Sequence, residues 1–114
     1  MPNAIRIHAA GGPEVLSWEP VEVGEPGPGQ VRLRQHAAGL NFIDVYHRTG
    51  LYPQPLPFTP GVEGAGVVES VGEGVDNVRA GDRVAYAGPI GGYAEVRLID
   101  ADRLVKLPDA IGFE

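Results

Sequence analysis

Glycine and proline break this chain into short pieces. Seventeen glycines and eleven prolines fall in 114 residues, about a quarter of the total. Proline lacks a backbone donor, and glycine adopts left-handed conformations at no steric cost, so both interrupt long helices. Between them lie apolar bursts that alternate at period two, the mark of strands with one buried face. Ile5 and Ile7 share one face, with Arg6 and His8 on the other. Val21 and Val23 form a second burst near Trp18. Val31, Leu33 and Ala37 point one way, and Arg32, Arg34 and His36 the other. In residues 93–99, YAEVRLI, the alternation puts Ala94, Val96 and Leu98 inward and Glu95 and Arg97 outward. LVKLP (104–108) closes with a last short strand. About seven strands predict a mainly β fold, a barrel or sandwich, because closure removes exposed strand edges.

One segment reads differently. In residues 41–49, NFIDVYHRT, Phe42, Val45 and Tyr46 recur at helical spacing. Asn41 is placed to cap the start, Asp44 puts negative charge in the first turn, and Gly50 stands at the C-cap. The next stretch, 51–61, carries four prolines and is expected to be a stiff, irregular loop. Residues 61–75, GVEGAGVVESVGEGV, form a glycine-punctuated strand ending in a turn over 72–76. A turn at 80–82 precedes another strand, and Asp100, Ala101 and Asp102 open one helical turn.

The length fits one domain with one core. The net charge of −6 gives no basic footprint for nucleic acid or an anionic membrane surface. There are no cysteines, which excludes disulfides, thiol nucleophiles and cysteine–zinc sites. No apolar run reaches the roughly 18 residues a spanning helix needs. The first residues, MPNAIRIHAAGG, have no leader pattern, so a cytoplasmic location is expected. At the other end, Pro108 and Asp109 signal a helix start just before the sequence stops. That predicts a piece of a longer protein.

The glycine cluster GVEGAG, with Gly61, Gly64 and Gly66, has the order G-x-x-G-x-G and leads into β-branched residues. A dinucleotide-binding turn has G-x-G-x-x-G and leads into a helix. The cluster therefore reads as a bend where two backbones approach closely. His8 and His36 fall on polar strand faces and read as solvated. His47 shares a helix face with Asp44, which suits a side-chain hydrogen bond better than a ligand pair. Ser17 and Ser70 have no neighbouring histidine, and Asp100 and Asp102 read as turn caps. One polar-aromatic constellation is left: Asn41, Asp44, Tyr46, Arg48 and Tyr52, all within twelve residues. Tyrosines and amides orient a planar conjugated ring by stacking and hydrogen bonding. The competing reading makes Tyr46 and Tyr52 partly buried packing residues.

Five segments together resemble a known family. They are GPEVLSWEPV, GQVRLRQHAAGLNFIDVYHRTGLYP, PFTPGVEGAGVVESVGEGV, VRAGDRVAYAGPIGGYAEVRLID and LVKLPDAI, and they span essentially the whole chain. The sequence resembles the N-terminal domain of the medium-chain dehydrogenase/reductase superfamily. It is most similar to the zinc-free, zeta-crystallin-like quinone oxidoreductases. The resemblance implies a GroES-like fold, a partly open β-barrel with short helices over residues 1–114. It also implies a Rossmann NADPH-binding domain outside this chain. In zinc-dependent relatives a cysteine ligand stands at the position of Asn41 and a histidine ligand at that of Val62. The structural zinc lobe would follow Tyr86, where this chain runs straight through AGPIGGYAEV. No metal site is therefore expected, since valine has no lone pair to offer.

The same resemblance implies an NADPH-dependent reductase of small quinones or α,β-unsaturated carbonyls, acting as a homodimer at full length. Tyr46 and Tyr52 would be its catalytic residues. Asn41, Asp44 and Tyr46 would hold the cofactor, and Asn41, Arg48 and Tyr52 the substrate. Two alternatives stand beside it. One is an enoyl thioester or alkenal reductase of the same superfamily. The other is a non-catalytic GroES-like binding or structural module. A chaperonin-cap module needs a mobile apolar loop, and prolines stiffen the candidate loop at 51–61.

Overall fold

The computed structural model describes residues 2–108 and 110–113. The described elements are seven strands, one α-helix and two single 3-10 turns. Strands β1 (Asn3–Arg6) and β2 (Ser17–Pro20) pair antiparallel, with a 3-10 turn at Pro13–Val15 between them. β3 (Gln30–Ala38) leads to helix α1 (Phe42–Thr49). Then come β4 (Glu63–Val71), β5 (Arg83–Ala87), β6 (Val96–Asp100), a 3-10 turn at Ala101–Arg103, and β7 (Val105–Lys106). β3 to β7 form one antiparallel sheet in the order β6-β3-β4-β5-β7.

β6 and β7 lie on opposite edges of that sheet, yet only Ala101 to Leu104 separate them. A 3-10 turn rises only about 2 Å per residue, so the sheet must curl to bring its edges together. The curl is partial: among the described residues the edges do not pair, and the two sheets do not close into a barrel. Register shifts at Arg32/Leu33 and Gln35/Ala37 help bend β3. Inside the curl, Val31, Leu33, Val68, Val84, Tyr86 and Ile99 form the core with Val78, Ala101 and Leu104. On the outside, Arg32 and Arg34 meet Glu69 at 3.0 and 2.7 Å. That is the polar face expected for β3.

The glycine cluster works as the sequence suggests. A Cβ on Gly66 would lie 2.8 Å from Gln35 Cα and overlap the Arg34 carbonyl, so β3 and β4 touch backbone to backbone. The proline loop at 51–61 contains no named helix or strand, and within it only Phe58 makes a bridge, to Ile7.

Two expectations need correction. Val21 and Val23 lie outside any strand, because β2 stops at Pro20. Arg97 does not face outward. It sits opposite Leu33, as Ile99 sits opposite Val31, on the core side of β6. Only 8% exposed, it donates to the carbonyls of Pro89 (3.1 Å) and Ile90 (3.0 Å), and its guanidinium lies over the Tyr86 ring. Val96, on the other face, is buried as well. A strand covered on both sides carries no usable alternation. At the C-terminal end, Asp109 lies outside the described residues. The Ile111 N–H closes a turn onto the Pro108 carbonyl at 3.0 Å.

Candidate active site

Helix α1 and the loop behind it carry the candidate residues. Asn41 has extended backbone (φ −131°, ψ 153°), which starts the helix cleanly. Its N–H donates to Asp44 Oδ2 at 3.0 Å, and the Asp44 N–H donates to the Asn41 carbonyl at 3.0 Å. The helix stops at Gly50, whose φ of +87° is left-handed and whose N–H donates to the His47 carbonyl. The reversal brings the Tyr52 N–H back to the Tyr46 carbonyl, 3.2 Å away.

Tyr46 and Tyr52 consequently meet edge to face, with ring centroids 5.5 Å apart and planes at 86°. They are 39% and 51% exposed, so the corner they form is open to solvent. Leu40, Phe42, Leu51 and Leu56 are exposed on the same stretch. Exposed apolar groups concentrated in this way mark a surface that binds something. A cleft of about 320 Å³ opens beside Gly39, just ahead of Asn41, lined by Ala37, Glu63, Gly64, Tyr86 and Phe113.

Asp44 and Arg48 turn away from that open corner. Asp44 is 4% exposed and accepts the Tyr93 hydroxyl on Oδ2 at 2.5 Å. Burial, and then the hydrogen bond to Asp44 and its negative charge, push the Tyr93 phenol well above its ordinary pKa. Arg48 Nε donates to the Gly11 carbonyl at 3.3 Å, and the Gly11 N–H donates to the Arg48 carbonyl at 2.9 Å. Arg48 thus fastens the end of α1 to the preceding loop. The expected Asp44–His47 hydrogen bond is not formed. Asn41 Nδ2, Asp44 Oδ1 and His47 Nδ1 are all buried without a hydrogen-bond partner among the described residues. His8 pairs with Glu19 at 2.8 Å, and His36 stacks on Phe113 with centroids 4.5 Å apart.

Tyr93 escapes a sequence reading. It lies 49 residues from Asp44, and its neighbours Gly91 and Gly92 signal only a turn. Among the described residues, no three His, Cys, Asp or Glu side chains come together as a metal site. Asn41 and Val62 do not fit a zinc ligand set, because a valine offers no donor atom.

A curled antiparallel sheet with a two-stranded companion and a single helix is a GroES-like architecture. The chain belongs to the alcohol dehydrogenase GroES-like domain family, whose model matches residues 27–109. It is 53% identical to a quinone oxidoreductase of Pseudomonas aeruginosa, with 100% of this chain and 36% of that protein covered. It is 49% identical to a 2-haloacrylate reductase of a Burkholderia species, covering 95% of this chain and 34% of that protein. The crystal structure of Escherichia coli quinone oxidoreductase complexed with NADPH superposes with a TM-score of 0.94 at 45% identity. That match covers 97% of this chain and 35% of the other. The chain therefore spans about a third of the length of these proteins.

Proposed function

We propose that residues 1–114 are the substrate-side domain of an NADPH-dependent quinone oxidoreductase that reduces quinones or α,β-unsaturated carbonyls without zinc. The observation that carries this reading is the solvent-open Tyr46–Tyr52 corner on the helix that Asn41 caps. Flat conjugated acceptors stack on such a corner. The likeness to quinone oxidoreductases, one of them complexed with NADPH, supports the choice of acceptor and cofactor. In this proposal the nucleotide is held mainly by a Rossmann domain outside this chain, facing the exposed strip from Leu40 to Leu56.

NADPH, when bound, supplies a hydride. This chain's residues bind and orient. Asn41 Nδ2, a buried donor without a partner among the described residues, is proposed to turn toward a carbonyl oxygen of the nicotinamide or acceptor when one binds. Tyr46 sets the ring plane, and Tyr52 walls the acceptor. Asp44 serves the cofactor side by fixing the Asn41 backbone, and Arg48 serves the substrate side by fastening the helix end. A conjugated acceptor is already electrophilic, so neutral donors at the developing oxyanion suffice and no Lewis acid is required. No described helix is long and apolar enough to cross a membrane. The whole protein is proposed to act as a homodimer in the cytoplasm.

The likeness to a 2-haloacrylate reductase favours a second reading, in which the double bond of an activated alkene is the true acceptor. Steady-state NADPH oxidation by the full-length protein separates the two. The expected order is 1,4-benzoquinone well above an enoyl thioester or an alkenal. The reverse order makes the activated alkene, and not the quinone, the acceptor.

A further inference from the structure

We infer that Tyr93 is a positioning residue, which acts through Asp44 to fix the first turn of α1 and with it Asn41. The catalytic side of this inference rests on the function proposed above. Its physical side rests on how firmly Tyr93 is itself held. The Tyr93 N–H donates to the Pro60 carbonyl at 2.9 Å, and the Tyr93 carbonyl accepts the Ile5 N–H at 2.8 Å. The carbonyls on either side, Gly92 and Ala94, both accept from Gln35 Nε2, at 3.0 and 2.9 Å. Gln35 is locked in turn, because its Oε1 accepts the Tyr86 hydroxyl. The Gly91 and Gly92 N–H groups both donate to the Gly61 carbonyl, at 2.9 and 3.0 Å. A Cβ on Gly61 would lie 2.6 Å from Tyr93 Cδ1, so the ring packs directly on the backbone there.

From this cradle the hydroxyl reaches out to Asp44 Oδ2 at 2.5 Å. That oxygen also accepts the Asn41 N–H. One carboxylate oxygen therefore takes two donors, one fixed by the sheet and one at the start of the helix. The other oxygen, Oδ1, takes none within the described protein. Tyr93 thus decides which oxygen faces Asn41 and where it sits. An eight-residue helix is marginal by itself, so its first turn depends on such an anchor. The Tyr93 phenol stays protonated at neutral pH and remains a donor throughout.

Tyr93→Phe removes the hydroxyl and keeps the ring. The first test is amide hydrogen exchange by NMR on the full-length protein without cofactor. Asn41 should exchange about tenfold faster or more in the variant, while β4 and β5 amides keep their wild-type rates. The second test is kinetic, on the full-length protein with NADPH and 1,4-benzoquinone. Tyr93→Phe should lower kcat about tenfold with a smaller change in KM. Asp44→Asn should also lower kcat, and the double variant should be no worse than the poorer single one by more than about threefold. Unchanged exchange at Asn41, faster exchange across every strand, or losses that multiply would each overturn the role given to Tyr93. A wild-type protein that reduces no quinone with NADPH would overturn the functional reading instead. The exchange result is read without cofactor, so the two failures are distinguishable.

Discussion

The Tyr46 and Tyr52 rings stand edge to face, 5.5 Å apart, because Gly50 reverses the chain between them. Their contact is local, but the surface they form is open. Tyr52 is half exposed and its ring meets that of Tyr46, so removing it should cost the fold little and the site much. Tyr52→Ala in the full-length protein is expected to lower 1,4-benzoquinone turnover at least about tenfold, equivalent to about 1.4 kcal/mol of barrier. Unchanged turnover would make Tyr52 a packing residue.

Two glycines differ in what they do, and alanine should separate them. At Gly66 a Cβ meets the β3 backbone itself, which has no flexible side chain to move aside. Gly66→Ala is expected to destabilise the domain by about 3 kcal/mol, read from the urea midpoint. Gly74 has φ +84° and nothing within 4 Å of where a Cβ would stand, so alanine there meets backbone strain alone. Gly74→Ala should cost about 1 kcal/mol. Equal losses would contradict the close approach of β3 and β4.

Helix α1 was legible because all its signals are local: a cap at Asn41, an acid three residues on, and a glycine past the end. The strands were legible wherever one face meets solvent, as in β3 with Arg32 and Arg34 outside and Val31 and Leu33 inside. Arg97 was not, because both faces of β6 are covered and its charge is matched by carbonyls rather than by water. The glycine cluster announced a close approach without saying which backbone would come near. At the site, the sequence grouped five residues of one segment. The structure pairs Tyr46 with Tyr52, turns Asp44 to Tyr93, and ties Arg48 to Gly11. Contacts such as Asp44–Tyr93 join distant parts of the chain and leave no periodic trace.

The Tyr93–Asp44 bond has a consequence at alkaline pH. Burial first, and the hydrogen bond and charge of Asp44 next, raise the Tyr93 phenol above the ordinary value of 10.0. Over the interval between those two values the folded chain holds a proton that the unfolded chain has released. Stability is therefore complete below about pH 10 and falls as the pH rises toward the folded value. Burial also raises the Tyr86 phenol, with Arg97 opposing, so Tyr93 accounts for part of the loss. Between about pH 9 and about pH 11, the urea midpoint of Tyr93→Phe should drop less than that of the wild type. Equal drops would contradict the assignment.

The proposed reduction needs an electron-poor acceptor and no bound metal. The most direct test is NADPH oxidation by the full-length protein with 1,4-benzoquinone, with and without 1,10-phenanthroline. The expected result is quinone reduction at the same rate in both. Loss of that activity with the chelator, or chelator-sensitive oxidation of ethanol in its place, would contradict the account.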